Sequence, residues 1–286
     1  MISGFTIVRN AVKLDYPIVP AIRSILDICD EVLVNVGKSD DDTRDLVESI
    51  GDPRVRILDS VWDLSLGGGM LAFETNRVMA ACAGTWGVYI QADEVLHESG
   101  AALIREQLLR CDGEPRVEGL LVDYLHFYGD FDTIATNRQW YRREVRVVRL
   151  GRDIRSYEAA QGFRVGPKFR RVRARATAAP MFHYGWSRSP RSLGARLAED
   201  EAIHHEMRDR LRARRARGSL GWTPLLRPFR GAHPRAALEW IAARRSTAAG
   251  VGPRRIKLGN LRHYVSDWIE RLTGVRVFEY RNYIEV

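Results

Sequence analysis

Thr85-Trp86-Gly87-Val88-Tyr89-Ile90-Gln91-Ala92-Asp93-Glu94 is the stretch that decides how this chain reads. An apolar run of strand length ends abruptly in two carboxylates, and a small-residue helix carrying Asn76 and Arg77 precedes it. In an open parallel sheet, ligands gather at the carboxyl ends of the strands. Hard oxygens at such a mouth suit Mg2+ or Mn2+ bound together with substrate phosphates.

Outward from that strand, apolar runs alternate with amphipathic segments between Phe5 and Leu125, the pattern of a mostly parallel α/β sheet with crossover helices. Phe5 to Val8, Glu31 to Val36, Val55 to Leu58, Gly87 to Gln91 and Gly119 to Leu125 are the expected strands. Helices are expected after Pro17, with Ile18, Ala21, Ile22, Ile25 and Leu26 on one face, from Thr43 with Asp42 as its cap, from Leu71 to Ala83 and from Ser99 to Leu109. The first strand runs into Arg9-Asn10, and the second into Lys38-Ser39-Asp40-Asp41-Asp42. With Asp42 capping, Asp40 and Asp41 remain for a base or ribose. Gly67-Gly68-Gly69 lacks the Lys and Ser or Thr of a P-loop and reads as a flexible substrate loop.

After Gly119 the loops lengthen. Single strands are expected at Val145 to Arg149, Arg170 to Arg175 and Met181 to Tyr184, then a long helix from Pro190 to Arg217 with Arg on its polar faces. His204 and His205, in mid-helix, read as solvated. The Gly- and Pro-rich stretch from Gly218 to Pro234 reads as a linker, followed by helices at Arg235 to Arg244 and Asn260 to Leu272. The expected division is a nucleotide-binding and catalytic domain over 1–187 and a helical, Arg-rich region over 188–286.

The 286 residues carry 45 Lys plus Arg against 36 Asp plus Glu, a net charge of +9 that hides a split. Met1 to Asn137 has 11 basic and 23 acidic residues, whereas Arg138 to Val286 has 34 and 13. Only four of the 45 are Lys, a skew that genome composition and bidentate anion binding explain equally well. Three scattered cysteines make neither a disulfide framework nor a zinc site, which points to a reducing cytoplasm. The N-terminus is not a signal peptide but a first strand. The longest charge-free central stretch, Val78 to Ala92, falls short of the about 18 apolar residues of a membrane span, so any membrane contact is peripheral.

The block from Asn76 through Ala83-Gly84-Thr85-Trp86 to Gln91-Ala92-Asp93-Glu94 resembles the helix, turn, strand and Asp-X-Asp signature of inverting family 2 glycosyltransferases of bacterial type, with the Rossmann-like GT-A fold. Phe5 to Asn10 resembles that family's first strand, and Glu31 to Thr43 its second strand with the nucleotide-contacting aspartate. The resemblance covers residues 3 to 125, is looser from 140 to 187, and implies a nucleotide diphosphate sugar donor with Mg2+ or Mn2+. Gln91 departs from it by standing where the first aspartate of Asp-X-Asp is usual; Asp93 matches the metal-binding one.

The resemblance extends to Arg146-Val147-Val148-Arg149 with Ser156-Tyr157-Glu158, which makes Glu158 the first candidate for the base that deprotonates an acceptor hydroxyl. Asp130 and Asp132 are its rivals, and each of the three also reads as a solvated loop carboxylate. Met181-Phe182-His183-Tyr184-Gly185-Trp186-Ser187-Arg188 resembles the segment with the C-terminal His that completes the metal site; on residue type alone His183 reads as a packing histidine. Lys168 and Arg188 are candidates for neutralising the leaving diphosphate, with Arg9, Asn10, Asp40, Asp41, Asn76 and Gln91 as donor contacts.

The implied partners are that donor and a glycan, lipid-linked or otherwise anionic acceptor that docks on the basic half, in the cytoplasm or at the inner membrane face, with oligomer formation open. Two rival functions remain: a nucleotide-sugar-binding protein with impaired catalysis, suggested by Gln91, and a basic protein that binds nucleic acid or anionic lipid. No recognised nucleic-acid module accompanies the charge.

Overall fold

The computed structural model describes residues 1–203, 220–254, 258–277 and 279–286. Its first part alternates strand and helix: β1 (Ile2–Val8), α1 (Ala11–Leu14), α2 (Ile18–Leu26), β2 (Glu31–Gly37), α3 (Thr43–Glu48), β3 (Val55–Ser60), α4 (Gly69–Ala80), β4 (Trp86–Tyr89), β5 (Glu94–Leu96), α5 (Glu98–Cys111) and β6 (Gly119–Tyr128). β1 lies parallel to β2 and β4, and β2 to β3. Strands this apolar are stable only with both faces covered. α2 covers one face, burying Ile18, Ala21, Ile22 and Ile25, while α4 packs against β1, β2 and the later β9.

The second part supplies β7 (Thr133–Ala135), β8 (Arg143–Arg149), β9 (Ile154–Tyr157), β10 (Gly162–Val165), β11 (Arg170–Trp186), α6 (Pro190–Ile203), β12 (Leu226–Pro228), α7 (Leu238–Ala242), α8 (Leu261–Thr273) and β13 (Tyr283–Glu285). β8 inserts antiparallel between β4 and β6, so the order is β3-β2-β1-β4-β8-β6-β11-β10-β9. The result is a mixed α/β sheet flanked by helices, as the sequence reading expects. Among the described residues beyond 187, helices α6, α7 and α8 occur alongside two strands, of which β12 pairs with β7 and β13 with β11. Trp240 and Ile241 of α7 join Phe127, Phe182 and Tyr184 in one apolar cluster.

Several expectations are corrected. The two strands expected at 170–175 and 181–184 form one, β11, because the register shift between Ala176 and Pro180 absorbs Pro180 and the positive φ of Ala178. The stretch expected as a linker contains β12, anchored where Leu220 and Leu226 pack with Tyr128, Leu193 and Leu197. Asp42 precedes α3 without a side-chain capping bond; Asp41 Oδ1 accepts the Thr43 amide at 3.1 Å instead. The expected helix from Arg235 begins as a single turn, Arg235–Ala237, before α7. The helix from Pro190 is described to Ile203, and its expected continuation, with His204 and His205, lies outside the described residues. Among the described residues no helix is long and apolar enough to cross a membrane.

Candidate active site

The turn after β4 separates the two carboxylates that end the strand. Glu94 turns into the core, where Arg146 of β8 holds it through Nε at 2.9 Å and a terminal nitrogen at 2.8 Å, and the Tyr124 hydroxyl donates at 2.6 Å. Both members of the ion pair are buried. A buried carboxylate needs this many donors to stay charged. The clamp fixes the turn and leaves Asp93 facing the carboxyl end of the sheet.

Asp93 Oδ2 lies 3.5 Å from His183 Nε2 near the end of β11 and 3.6 Å from a terminal nitrogen of Arg196 on α6. Burial raises the Asp93 pKa, but His183, Arg196 and Arg188 outweigh it and hold the carboxyl well below its usual range. β6 and β11 are in register at His126 and His183, and the two Nδ1 atoms are 3.1 Å apart. His126 Nε2 is 2.8 Å from the Tyr141 carbonyl, an acceptor only, so that nitrogen carries the hydrogen. Burial, reinforced by His183, drives the His126 pKa far down, so the ring is neutral and its Nδ1 accepts from His183. With Nδ1 donating to His126, His183 directs its Nε2 at the Asp93 carboxylate.

A proton on Nε2, or a cation between the two side chains, would complete this 3.5 Å contact. Gly185 supplies the space: a Cβ there would stand 2.6 Å from Asp93 Oδ2 and 2.7 Å from His183 Nε2. Among the described residues no third His, Cys, Asp or Glu joins them in a metal-binding group. With further oxygens from substrate and water, the two side chains could hold a divalent cation.

Arg188, at the C-terminal side of β11, is buried with one terminal nitrogen donating to the Leu14 carbonyl. Its Nε and other terminal nitrogen have no hydrogen-bond partner among the described residues. Burial and the neighbouring Arg196 cation lower its pKa to about 10, which still leaves it charged at neutral pH. A buried guanidinium with two orphaned donors is costly unless an anion completes it.

The remaining expected residues divide between this cluster and other surroundings. Arg9 and Asn10 follow β1, and both reach Glu199 of α6. Asn10 also accepts from the Asp40 amide at 2.8 Å and donates its own amide to Ser39 Oγ at 3.0 Å. Asp40 is exposed, 3.7 Å from Lys13. Asp41 is engaged on both oxygens, by Thr43 and by the Lys13 amide at 2.7 Å. Beside them an open cleft of about 500 Å³ at the ends of β2 and β3 is lined by Lys38, Asp41, Ser60 and Arg77, among others.

Asn76 binds both backbone groups of Ser156, at 3.0 and 2.7 Å. Gln91 donates to the Ala160 carbonyl at 3.1 Å. Together they hold the β9–β10 hairpin against the carboxyl end of β4. Exposed Glu158 sits in that hairpin's turn with φ of +50°. Asp130 is engaged by the Asp132 amide and Thr133, and Asp132 by Arg245. Lys168 lies in the turn before β11 begins at Arg170, whereas His183 lies near that strand's other end, so the unbroken strand separates the two.

Sequence reasoning missed His126, Gly185 and Arg196. A signal for His126 existed: Leu125-His126-Phe127-Tyr128 and Phe182-His183-Tyr184 both set one His among aromatic or apolar neighbours late in a strand. Arg196 had none, being one of many arginines in the sequence between Pro190 and Arg217.

No protein-family model matches the chain, and no curated protein matches it. Among solved structures, residues 1–349 of S. aureus TarS align at 15% identity over 44% of this chain and 35% of that one, with a TM-score of 0.34. The same fragment in complex with UDP-GlcNAc aligns at 16% identity, 44% and 34% coverage and a TM-score of 0.33. Glucosyl-3-phosphoglycerate synthase from Mycobacterium tuberculosis, in complex with Mn2+, UDP and phosphoglyceric acid, aligns at 18% identity, 44% and 43% coverage and a TM-score of 0.31. The chain spans less than half the length of each of these proteins, and at such scores they are partial likenesses that carry nothing about its chemistry.

Proposed function

We propose that the chain is a glycosyltransferase of GT-A type, related to family 2, that moves a sugar from a nucleoside diphosphate donor to an acceptor hydroxyl with inversion. The observation that carries this reading is Arg188: a buried cation with two donors unpartnered among the described residues, beside Asp93 and His183, which face each other at 3.5 Å. A diphosphate is the ligand chemistry that answers both. The sequence resemblance over residues 3 to 125 supports the same assignment.

In this reading Asp93 and His183 hold Mg2+ or Mn2+, which supplies charge stabilisation for the leaving diphosphate. Arg188 and Arg196 direct N–H donors at the same developing charge. Lys38, Ser39 and Asp40 border the nucleoside. Glu158, in the hairpin held by Asn76 and Gln91, takes the proton of the acceptor hydroxyl as its oxygen bonds to the anomeric carbon and the bond to the diphosphate breaks. Lys168 has no part in this site.

The test is thermal stabilisation by UDP, GDP, CMP and TDP sugars with and without Mn2+. One nucleotide should stabilise the wild type, and the effect should disappear with chelator and in Asp93→Asn. No stabilisation by any of the four, or an Asp93→Asn variant that responds like the wild type, sinks the reading.

A further inference from the structure

Helix α8 is amphipathic in the inverted sense. Leu261, Val265, Trp268 and Leu272 recur at helical spacing on one side and are 52%, 55%, 63% and 65% exposed. The opposite side is polar and faces the protein: His263 and Ser266 are buried, Asp267 binds Arg227 at 2.6 Å, and Glu270 binds Arg142 at 2.8 Å. An ordinary surface helix buries its apolar stripe. Exposed Leu258 before α8 and Val275 after it lengthen the apolar band.

Charge selects the occupant. The acids of α8 turn inward or bind arginine, so its outward side offers apolar groups beside exposed Arg262 and Arg271, the latter 2.9 Å from Asp267. An adjoining cleft of about 320 Å³ is lined by Arg227, Arg254 and Arg271, together with Trp222 and Tyr264. Asp267 is the one carboxylate that binds any of those three guanidiniums among the described residues. A second copy on this stripe would bring the Arg262 and Arg271 cations of both chains together. An anionic bilayer meets both demands at once, because its interface accepts Trp and Leu while its phosphates accept guanidinium donors.

We propose that α8 and the adjoining arginine cleft seat this protein on an anionic bilayer, with the apolar stripe in the headgroup layer and the cleft on lipid phosphates. The inference does not depend on the donor chemistry, and its readout needs no nucleotide. The experiment is co-sedimentation with vesicles of phosphatidylcholine alone and with added phosphatidylglycerol, at low and high salt. The wild type should bind only the anionic vesicles and release them at high salt. Val265→Glu with Trp268→Glu should weaken binding at least about tenfold, as should Arg254→Glu. Trp268→Ser, milder in its effect on folding, should weaken it in the same direction, and thermal unfolding checks that each variant folds. Absence of wild-type binding to anionic vesicles, or binding indifferent to these substitutions, overturns the proposal. So does a dimer, seen by light scattering, that Trp268→Ser dissolves while vesicles are ignored.

Discussion

Glu94 and Arg146 meet carboxylate to guanidinium through two hydrogen bonds, at 2.8 and 2.9 Å, with both side chains shielded from water. Removing one partner strands the other charge in the core, which costs about 3–5 kcal/mol. Arg146→Leu and Glu94→Gln should each lower stability on that scale in denaturant titrations. Replacing both residues by apolar ones should recover much of the loss, because the desolvation penalty disappears with the pair.

Arg188 should behave in the opposite way. Its orphaned donors burden the ligand-free protein, so Arg188→Met is expected to leave the melting temperature unchanged or raised while lowering donor affinity at least about tenfold. Calorimetric titration of the donor nucleotide, paired with thermal unfolding, checks both sides. A variant that melts much lower and binds normally would refute the anion-binding role.

Gly185 and His126 set the Asp93–His183 pair from two directions. Gly185→Ala puts a methyl carbon 2.6 Å from Asp93 Oδ2 and 2.7 Å from His183 Nε2, too close for either to stay in place, and should abolish Mn2+-dependent donor binding in a chain that still folds. His126→Phe removes the acceptor that orients His183. Loss of such an orienting bond lowers metal affinity about 10- to 100-fold, so the Mn2+ concentration for half-maximal response should rise by that factor. A merely packing His126 would move the melting temperature and leave the Mn2+ dependence alone.

Glu144 sets a pH dependence of stability. Burial raises its pKa from 4.5 to about 7, against the lowering pull of Arg146, the Val145 amide and Asn282. A carboxyl whose pKa is higher folded than unfolded contributes full stability below its unfolded value, and loses it as pH rises through the folded one. Stability from this group should therefore fall between pH 4.5 and about 7, by roughly 3 kcal/mol at most. Glu144→Gln should flatten that part of the curve and be the more stable protein at pH 8.

The alternation from Phe5 to Leu125 was legible because buried strands and their crossover helices impose different periods on one sequence. Asp93 stood out as a polar group at the end of an apolar strand, whereas His183, a packing histidine by residue type, was singled out by the family resemblance; the fold brings the two within 3.5 Å. What single-sequence pattern cannot carry is pairing across distance. Nothing local distinguishes Glu94, engaged by Arg146, from its neighbour Asp93, nor Arg196 from the other arginines between Pro190 and Arg217. Asp41 and Asp42 exchange expected roles because the bond to the Thr43 amide depends on how the loop is wound. Lys168 was named for its charge, and the sequence does not show that the length of β11 lies between it and His183. The helix near residue 260 was legible as a helix, but the side it would bury was not.

Opposed charges of the two halves pair in the core at Glu94 with Arg146, and nearer the surface at Glu118 with Arg170 and Arg173, Glu114 with Arg175, and Asp15 with Arg244. This matters for vectorial synthesis. The ribosome delivers the acidic half first, with β4 paired to β1 on one side and its other edge open until β8 emerges; Arg146 follows Glu94 by 52 residues. During that interval the surplus of 23 acidic over 11 basic residues keeps nascent chains apart by mutual repulsion, where an open strand edge would otherwise recruit a neighbour. Arrival of the arginines then reverses the sign of the net charge, to +9 for the whole chain, while β8 covers the open edge of β4.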